Sequence, residues 1–333
     1  MNIAEIARKA GVGKATVSRV LNGGKNVSEK TEKRVRDICD EFNYTPNYFA
    51  SNLIKGQTNV MGLFLEVGNE KWYDYYYGLL QGCILKAFEY NMQILPYFAL
   101  PAEKISENLM PGKSPLAGAL LLTPAVKEKR LIKLEHMKIP CVVIGKLDNK
   151  EDEYLSVDIN NRKLVTNFLL HLADKGHKRI AFINSRPTIT ITQDRDKAVT
   201  AFMRANSDIK VYTRYCCGNE RDTVREYESI LSEDGSVKAV IVASDSLAKE
   251  LYDYFEVKGL KIGKDVSVIS LGGNQYKDKL SPKLTCGFQD YCKIGSMGIE
   301  LLMKRIRNEV TLPHIFIDSE IIWGESVCEV KDA

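Results

Sequence analysis

Two groups of side chains in this 333-residue chain have the types and spacing to do chemistry. Near the N-terminus, Lys14, Ala15, Thr16, Ser18 and Arg19 interleave with Val17, Val20 and Leu21 at helical spacing, so the first set faces outward while the apolar set turns in. An arginine presented on such a helix can bond the O6 and N7 of guanine together. Ser18, Asn22, Ser28, Thr31 and nearby backbone amides suit phosphate oxygens, which position a protein without specifying sequence. The second group is spread along the chain. Arg195 follows the polar stretch SRPTITITQD, Ser244-Asp245-Ser246 closes an apolar run, Gln289 and Tyr291 adjoin another, Lys146 follows VIG, and Tyr75 lies in WYDYYYG. Arginine and acids with aromatic faces are what a sugar requires: directed hydroxyl bonding and a flat stacking surface. Each of these residues also has a plainer reading. Arg195 can pair with Asp194 or Asp196 on the surface, and Asp245 can cap a helix starting at Leu247.

The elements that would position the first group are short helices. Ile3, Ile6, Ala7 and Ala10 share one face, and Gly11 ends that helix. A second helix spans 14–21 and stops at Asn22-Gly23-Gly24. Ser28 is a good N-cap for a third, with Val35, Ile38 and Phe42 on one face. In the joint AGVG, Ala10 lets two helices approach, Gly11 takes the turn and Val12 plugs the crossing, which is the helix-turn-helix arrangement. A three-helix protein-interaction module with a solvated basic face is the alternative. Charge favours an anionic partner for this head. Residues 1–58 hold ten Lys and Arg against six Asp and Glu, so they carry the whole formal excess of +4 and leave the remainder balanced.

The stretch from IAEIARKAGVGKATVSRVLN to NYTPNYFASNL resembles the N-terminal domain of the LacI (lactose-repressor) family of bacterial transcription regulators, through AGV-x-x-x-TVSRVLN, VS-x-x-T-x-x-RV and Y-x-PN-x-x-A. The resemblance implies that Lys14, Ala15 and Arg19 read bases and that Tyr44 and Asn47 belong to the DNA-contacting set. It also implies a hinge. Pro46 and Asn47 break the third helix, and the following residues are too few for a stable isolated helix. Read from its residues alone, Leu53 is a linker side chain packed on the body; the family's hinge instead folds on operator DNA and wedges a leucine, here Leu53, into the minor groove. Three positions depart from the family: Gly13 replaces a capping serine, Ser51 replaces Arg or Gln, and Gly272 in SLGGN stands where many members have an effector-binding aspartate.

Beyond residue 58, apolar runs alternate with amphipathic segments. Strands are expected at 60–67, 92–99, 118–122, 141–144, 179–184, 210–215, 239–243 and 266–271, with helices at 79–90, 164–175, 194–204, 223–231, 247–258 and 293–308. This is the pattern of doubly wound parallel sheets, and the resemblance implies a two-lobed, periplasmic-binding-protein-like body with three crossovers, near 156–161, 285–290 and 312–317. The domains are then a helix-turn-helix head over 1–45, a hinge over 46–58 and a body over 59–333, its lobes formed by 59–158 with 290–312 and by 159–287 with 315–333. Ligands bind such sheets at the C-terminal ends of their strands. Family effector contacts map onto Arg195, Ser244–Ser246, Gln289 and Tyr291, and the phrases VIGK, TQDR and SDSLA are similar to maltose-type repressors of Gram-positive bacteria.

Other functions are disfavoured. GxSxG, HExxH, Walker A and GxGxxG patterns are missing, and the four histidines at 136, 171, 177 and 314 are far apart. Eight scattered cysteines offer neither a metal-ligand spacing nor a disulfide framework. The first fourteen residues do not form a signal peptide, and no apolar run reaches membrane-spanning length. The reading is therefore a cytoplasmic, nucleoid-associated, homodimeric regulator that is not an enzyme and carries no metal or cofactor. It binds a palindromic operator and a small sugar, with maltose or another α-linked disaccharide as first choice, and the sugar releases the DNA. A non-catalytic sugar sensor acting through a protein partner or a sugar phosphate, and a sugar-processing enzyme, are the competing readings.

Overall fold

The computed structural model describes residues 2–21, 27–42, 44, 58–65, 73–98, 104–105, 116–147, 154–216 and 222–330. The chain divides into two compact units, 1–58 and 59–333. In the first, α1 (Ile3–Ala10) starts at Asn2, whose side chain accepts from the Ala4 and Glu5 amides while the Glu5 carboxylate accepts from the Asn2 amide. Gly11 ends it at φ 61°, left-handed backbone that glycine adopts without strain. Helix α2 (Lys14–Leu21) begins on the Gly13 carbonyl, which accepts from the Thr16 and Val17 amides. Helix α3 (Glu29–Glu41) is capped by Ser28. Ile6, Ala7, Ala10, Val17, Val20, Val35 and Cys39 form the buried centre. Phe42, expected inward, is instead 37% exposed, with the Lys9 ammonium 4.1 Å above its ring. Helix α3 ends at Glu41 with Phe42 as its C-cap, and Cys39, a turn beyond Val35, takes the inward place while Ile38 packs at the core's edge.

The second unit holds two six-stranded sheets. The first contains β1 (Val60–Leu65), β2 (Gln93–Phe98), β3 (Leu116–Leu122), β4 (Cys141–Ile144), β5 (Ser156–Ile159) and β11 (His314–Ile317), in the order β11-β5-β4-β3-β1-β2 and parallel throughout. Its helices are α4 (Tyr73–Glu89), α5 (Lys129–His136) and α10 (Tyr291–Ile306). Period-2 alternation sends Met61, Leu63 and Leu65 into one core with α4 and α10, and Val60 and Phe64 into another with α5. The second sheet contains β6 (Arg179–Asn184), β7 (Lys210–Tyr215), β8 (Ala239–Val242), β9 (Ser267–Ser270), β10 (Thr285–Phe288) and β12 (Glu320–Ile322). Its order is β12-β10-β9-β8-β6-β7, with only β12 antiparallel. Helices α6 (Asn161–Asp174) and α7 (Thr190–Ala205) cover one face, and α8 (Asp222–Glu233) and α9 (Asp245–Val257) the other.

Some elements differ from the sequence reading. Helix α4 begins at Tyr73, so Tyr75 sits within its first turn rather than ahead of it. Segments β5 and β10, read as crossovers, are also paired strands. The sequence reading starts the second lobe's final segment at 315, yet residues 314–317 pair with β5 and extend the first sheet; the chain crosses at Asp318-Ser319 instead. Four residues pairing in parallel register, with the Ser156 amide on the Pro313 carbonyl and the Asn160 amide on that of Ile317, outweigh the segment's exposure.

Candidate functional site: an interlobe cleft and a helix-turn-helix surface

Strand ends of both sheets open onto one cleft, about 990 Å³ with its mouth included. The first sheet contributes Thr123 beyond β3, Gly145 beyond β4 and Asp158 at the end of β5. Ser185 beyond β6, Ser244 beyond β8 and Gly272 beyond β9 come from the second. Apolar side chains such as Pro124, Ile144, Ile191 and Ile294 line it together with polar groups from the loops beyond the strands, the mixture a small-molecule site requires.

Arg195 projects from α7 and is 5% exposed. Its Nε donates to Asn161 Oδ1 at 3.2 Å, and among the described residues no carboxylate pairs with it. The surface ion pair is not formed, because Asp194 is taken by Arg162 at 2.6 Å and by Lys146 at 3.6 Å. Lys146, expected to reach the cleft, is directed to that buried carboxylate instead and is not in the cavity wall. Burial lowers the Arg195 guanidinium to about 10. Tyr75 and Tyr291, at the starts of α4 and α10, meet edge-to-face at 5.0 Å, and Thr123 donates to the Tyr75 hydroxyl at 3.2 Å. Asp245 is the first residue of α9, and Ser244 is its N-cap residue. The Asp245 Oδ2 accepts from the Gln275 and Tyr276 amides at 2.7 and 2.8 Å, tying down the loop after β9. The Ser244 and Ser246 hydroxyls are 2.8 Å apart. Gln289 donates to the Leu271 carbonyl at 3.0 Å and lines the cleft. Six of the seven expected positions thus meet here.

Asp158 is the residue the sequence reading missed. It is 8% exposed and lines the cleft, with Oδ1 accepting from the Ile159 amide at 2.7 Å. Burial pushes its carboxyl up to about 7; that backbone bond, Lys146 and Arg195 oppose the rise, and Asp194 adds to it. Its signal in the sequence is SVDIN, an acid within a short apolar run that reads as a connection and folds as strand β5.

On the head, Lys14, Ala15 and Arg19 are exposed along α2, with Thr16 and Ser18 half-buried beside them. Ser28 and Thr31 bond each other at 2.9 Å at the start of α3, and Tyr44 packs on the head core. Asn22, Asn47, Ser51 and Leu53 lie outside the described residues. Another polar grouping, His177 with Ser267 at 2.9 Å and Cys328, is wholly buried and bonds the main chain of the C-terminal segment.

The profile described as "Bacterial regulatory proteins, lacI family" matches residues 2–47, and that of the "Periplasmic binding protein-like domain" matches 169–327. The chain belongs to the LacI family. Its members are DNA-binding transcriptional regulators, and the head and body here are those of that class. Catabolite control protein A of Priestia megaterium is 27% identical over 330 residues, 94% of this chain and 97% of that one. The lac repressor dimer bound to operator and an anti-inducer matches with a TM-score of 0.87 at 18% identity, and a complex of the transcriptional regulator CelR with cellobiose with 0.74 at 23%. Each covers 98% of this chain and 99% of the other, and at such identities they show the fold. No helix among the described residues is long and apolar enough to cross a membrane.

Proposed function

We propose that this protein represses a sugar-utilisation operon as a cytoplasmic homodimer on a palindromic operator, and that a small sugar in the cleft sets its operator affinity. The observation that carries this is the buried Arg195: a guanidinium without a carboxylate partner among the described residues, facing a cleft with the Tyr75–Tyr291 aromatic pair. Such a group waits for oxygen acceptors on a ligand, since a buried donor left unmade is costly. The exposed Lys14, Ala15 and Arg19 supply the DNA-reading surface, with Leu53 as the minor-groove wedge. CelR's complex with cellobiose supports a disaccharide. Maltose or another α-linked disaccharide is the first choice, acting as inducer. Dimerisation is supported by a stripe on α4, where Tyr77, Ile84, Leu85 and Phe88 are 52–81% exposed on one face. The test is retardation of the promoter fragment beside the gene, with maltose titrated in. Release by maltose at a concentration that also raises the protein's melting temperature supports the reading. Retention unaffected by any small sugar counts against effector control.

A further inference from the structure

Three ionisable groups of opposed sign line the cleft among the described residues besides the tyrosines: Arg195, Asp158 and Asp245. They are not equally available. Asp245 is spent on the two backbone amides of residues 275 and 276. Asp158 uses Oδ1 on its neighbour's amide, while Oδ2 has no partner among the described residues. Arg195 uses only Nε, on Asn161. The cleft therefore offers one free acceptor edge from the first lobe and one free donor fork from the second. Beyond β9 Gly272 contributes no side chain, although a Cβ there would make only ordinary 3.7 Å contacts with Ser244 and the Tyr291 hydroxyl. Among the described residues, the charged side chains that face the cleft are therefore those of Arg195, Asp158 and Asp245.

A phosphorylated effector would bring about two negative charges at neutral pH beside two carboxylates and a single guanidinium. A cationic effector would meet Arg195. A neutral molecule with adjacent donor and acceptor groups satisfies both edges, and apolar walls including Ile144, Ile191 and Pro124 suit the carbon face of its ring. We propose that Asp158 is a specificity-determining residue of the effector site, accepting hydroxyl protons from an uncharged sugar whose neighbouring oxygens accept from Arg195, so that the cleft discriminates against sugar phosphates. This rests on the effector-controlled reading above and adds the ligand's charge class. Burial pushes the Asp158 carboxyl up to about 7, and Asp194, Lys146, Arg195 and Tyr75 are the charged and titratable groups around it. Hydroxyl donors favour its ionised form, so sugar binding releases a proton and tightens as pH rises from 6 to 8.

The experiment is calorimetric titration of the full-length protein and of Asp158→Asn with maltose, cellobiose and glucose 6-phosphate at pH 6 and 8. A neutral disaccharide should bind the wild type, more tightly at pH 8. Asp158→Asn should weaken that sugar at least tenfold and remove the pH dependence, while melting at pH 8 no lower than the wild type, which shows that it is folded. Equal affinity in the two proteins overturns the assignment, and so does binding of glucose 6-phosphate alone. Parallel promoter retardation separates the two readings. If glucose 6-phosphate binds and shifts retention, the regulator reading stands and Asp158 selectivity falls. If a neutral sugar binds through Asp158 without changing retention, effector control falls and the selectivity stands. If none of the three sugars binds, the proposal is rejected.

Discussion

Arg19 and Arg195 differ chiefly in burial, and the two roles proposed for them follow from that difference. Arg19 is exposed on α2, in water until DNA arrives. If it reads guanine, Arg19→Ala should cost about 1–3 kcal/mol of operator affinity and relax discrimination at one base pair, measured by competitive retardation with single-base operator variants. Arg195 is enclosed, and its removal leaves ligand hydroxyls unpaired at about 1–3 kcal/mol. Arg195→Ala should therefore show a much smaller ratio of operator affinities with and without maltose; a ratio equal to the wild type's would remove Arg195 from the site. Asp158 carries a stability consequence independent of ligand. Its folded pKa near 7 lies above the ordinary aspartate value, so the folded protein holds a proton that the unfolded chain has released. Stability from this group therefore falls as pH rises from about 4 to 7 and levels off above. Asp158→Asn should gain about 1–3 kcal/mol on the wild type between pH 5 and pH 8, read from urea unfolding at both values.

Between elements, the contact that positions the aromatic pair is the crossing of α4 and α10. A Cβ on Gly295 would lie 2.3 Å from the Leu79 carbonyl oxygen, and one on Gly82 would lie 1.9 Å from that of Cys292. The two backbones touch, and neither can yield by rotating a side chain. Tyr75 and Tyr291 sit at the starts of these helices, so their edge-to-face geometry is set by the crossing. Gly295→Val should force the helices apart, costing about 1–3 kcal/mol or more in urea unfolding and weakening maltose binding with it. Unchanged stability would show that the crossing is soft.

For the whole molecule, the proposed control is a linkage between two equilibria. The cleft lies within the body, while the residues proposed to read DNA lie in the head. Reciprocity requires operator DNA to change sugar affinity by the factor by which sugar changes operator affinity, typically about 5–150-fold. Paired heads on a palindrome require two copies of the chain. Phe88→Lys, placing charge on the exposed α4 stripe, should shift light scattering toward monomer and lower operator affinity; a variant that stays dimeric would move the interface elsewhere.

The local sequence determined the elements and the family. Helix periodicity with Gly11 and Ser28 marked the head, apolar runs gave β4 and β6 their observed limits, and the β-prone KVYTRY gave those of β7, because propensity, capping and burial pattern act over a few neighbouring residues. The same signals failed for β5, β10, β11 and β12, each only three or four residues long and recognisable as strands only through their partners. Phe42 departs from the helical pattern because it is the C-cap of α3, where packing rather than periodicity decides which way a side chain turns. Tertiary structure alone decided which charges remain free. Asp194 is flanked by Arg195 in sequence, yet Arg162 and Lys146 bond it across space. Asp245 is drawn to a loop thirty residues away, and Asp158 is left with an open edge. Sequence neighbours cannot fix those pairings, because a buried charge takes the partner that folding brings within hydrogen-bond reach.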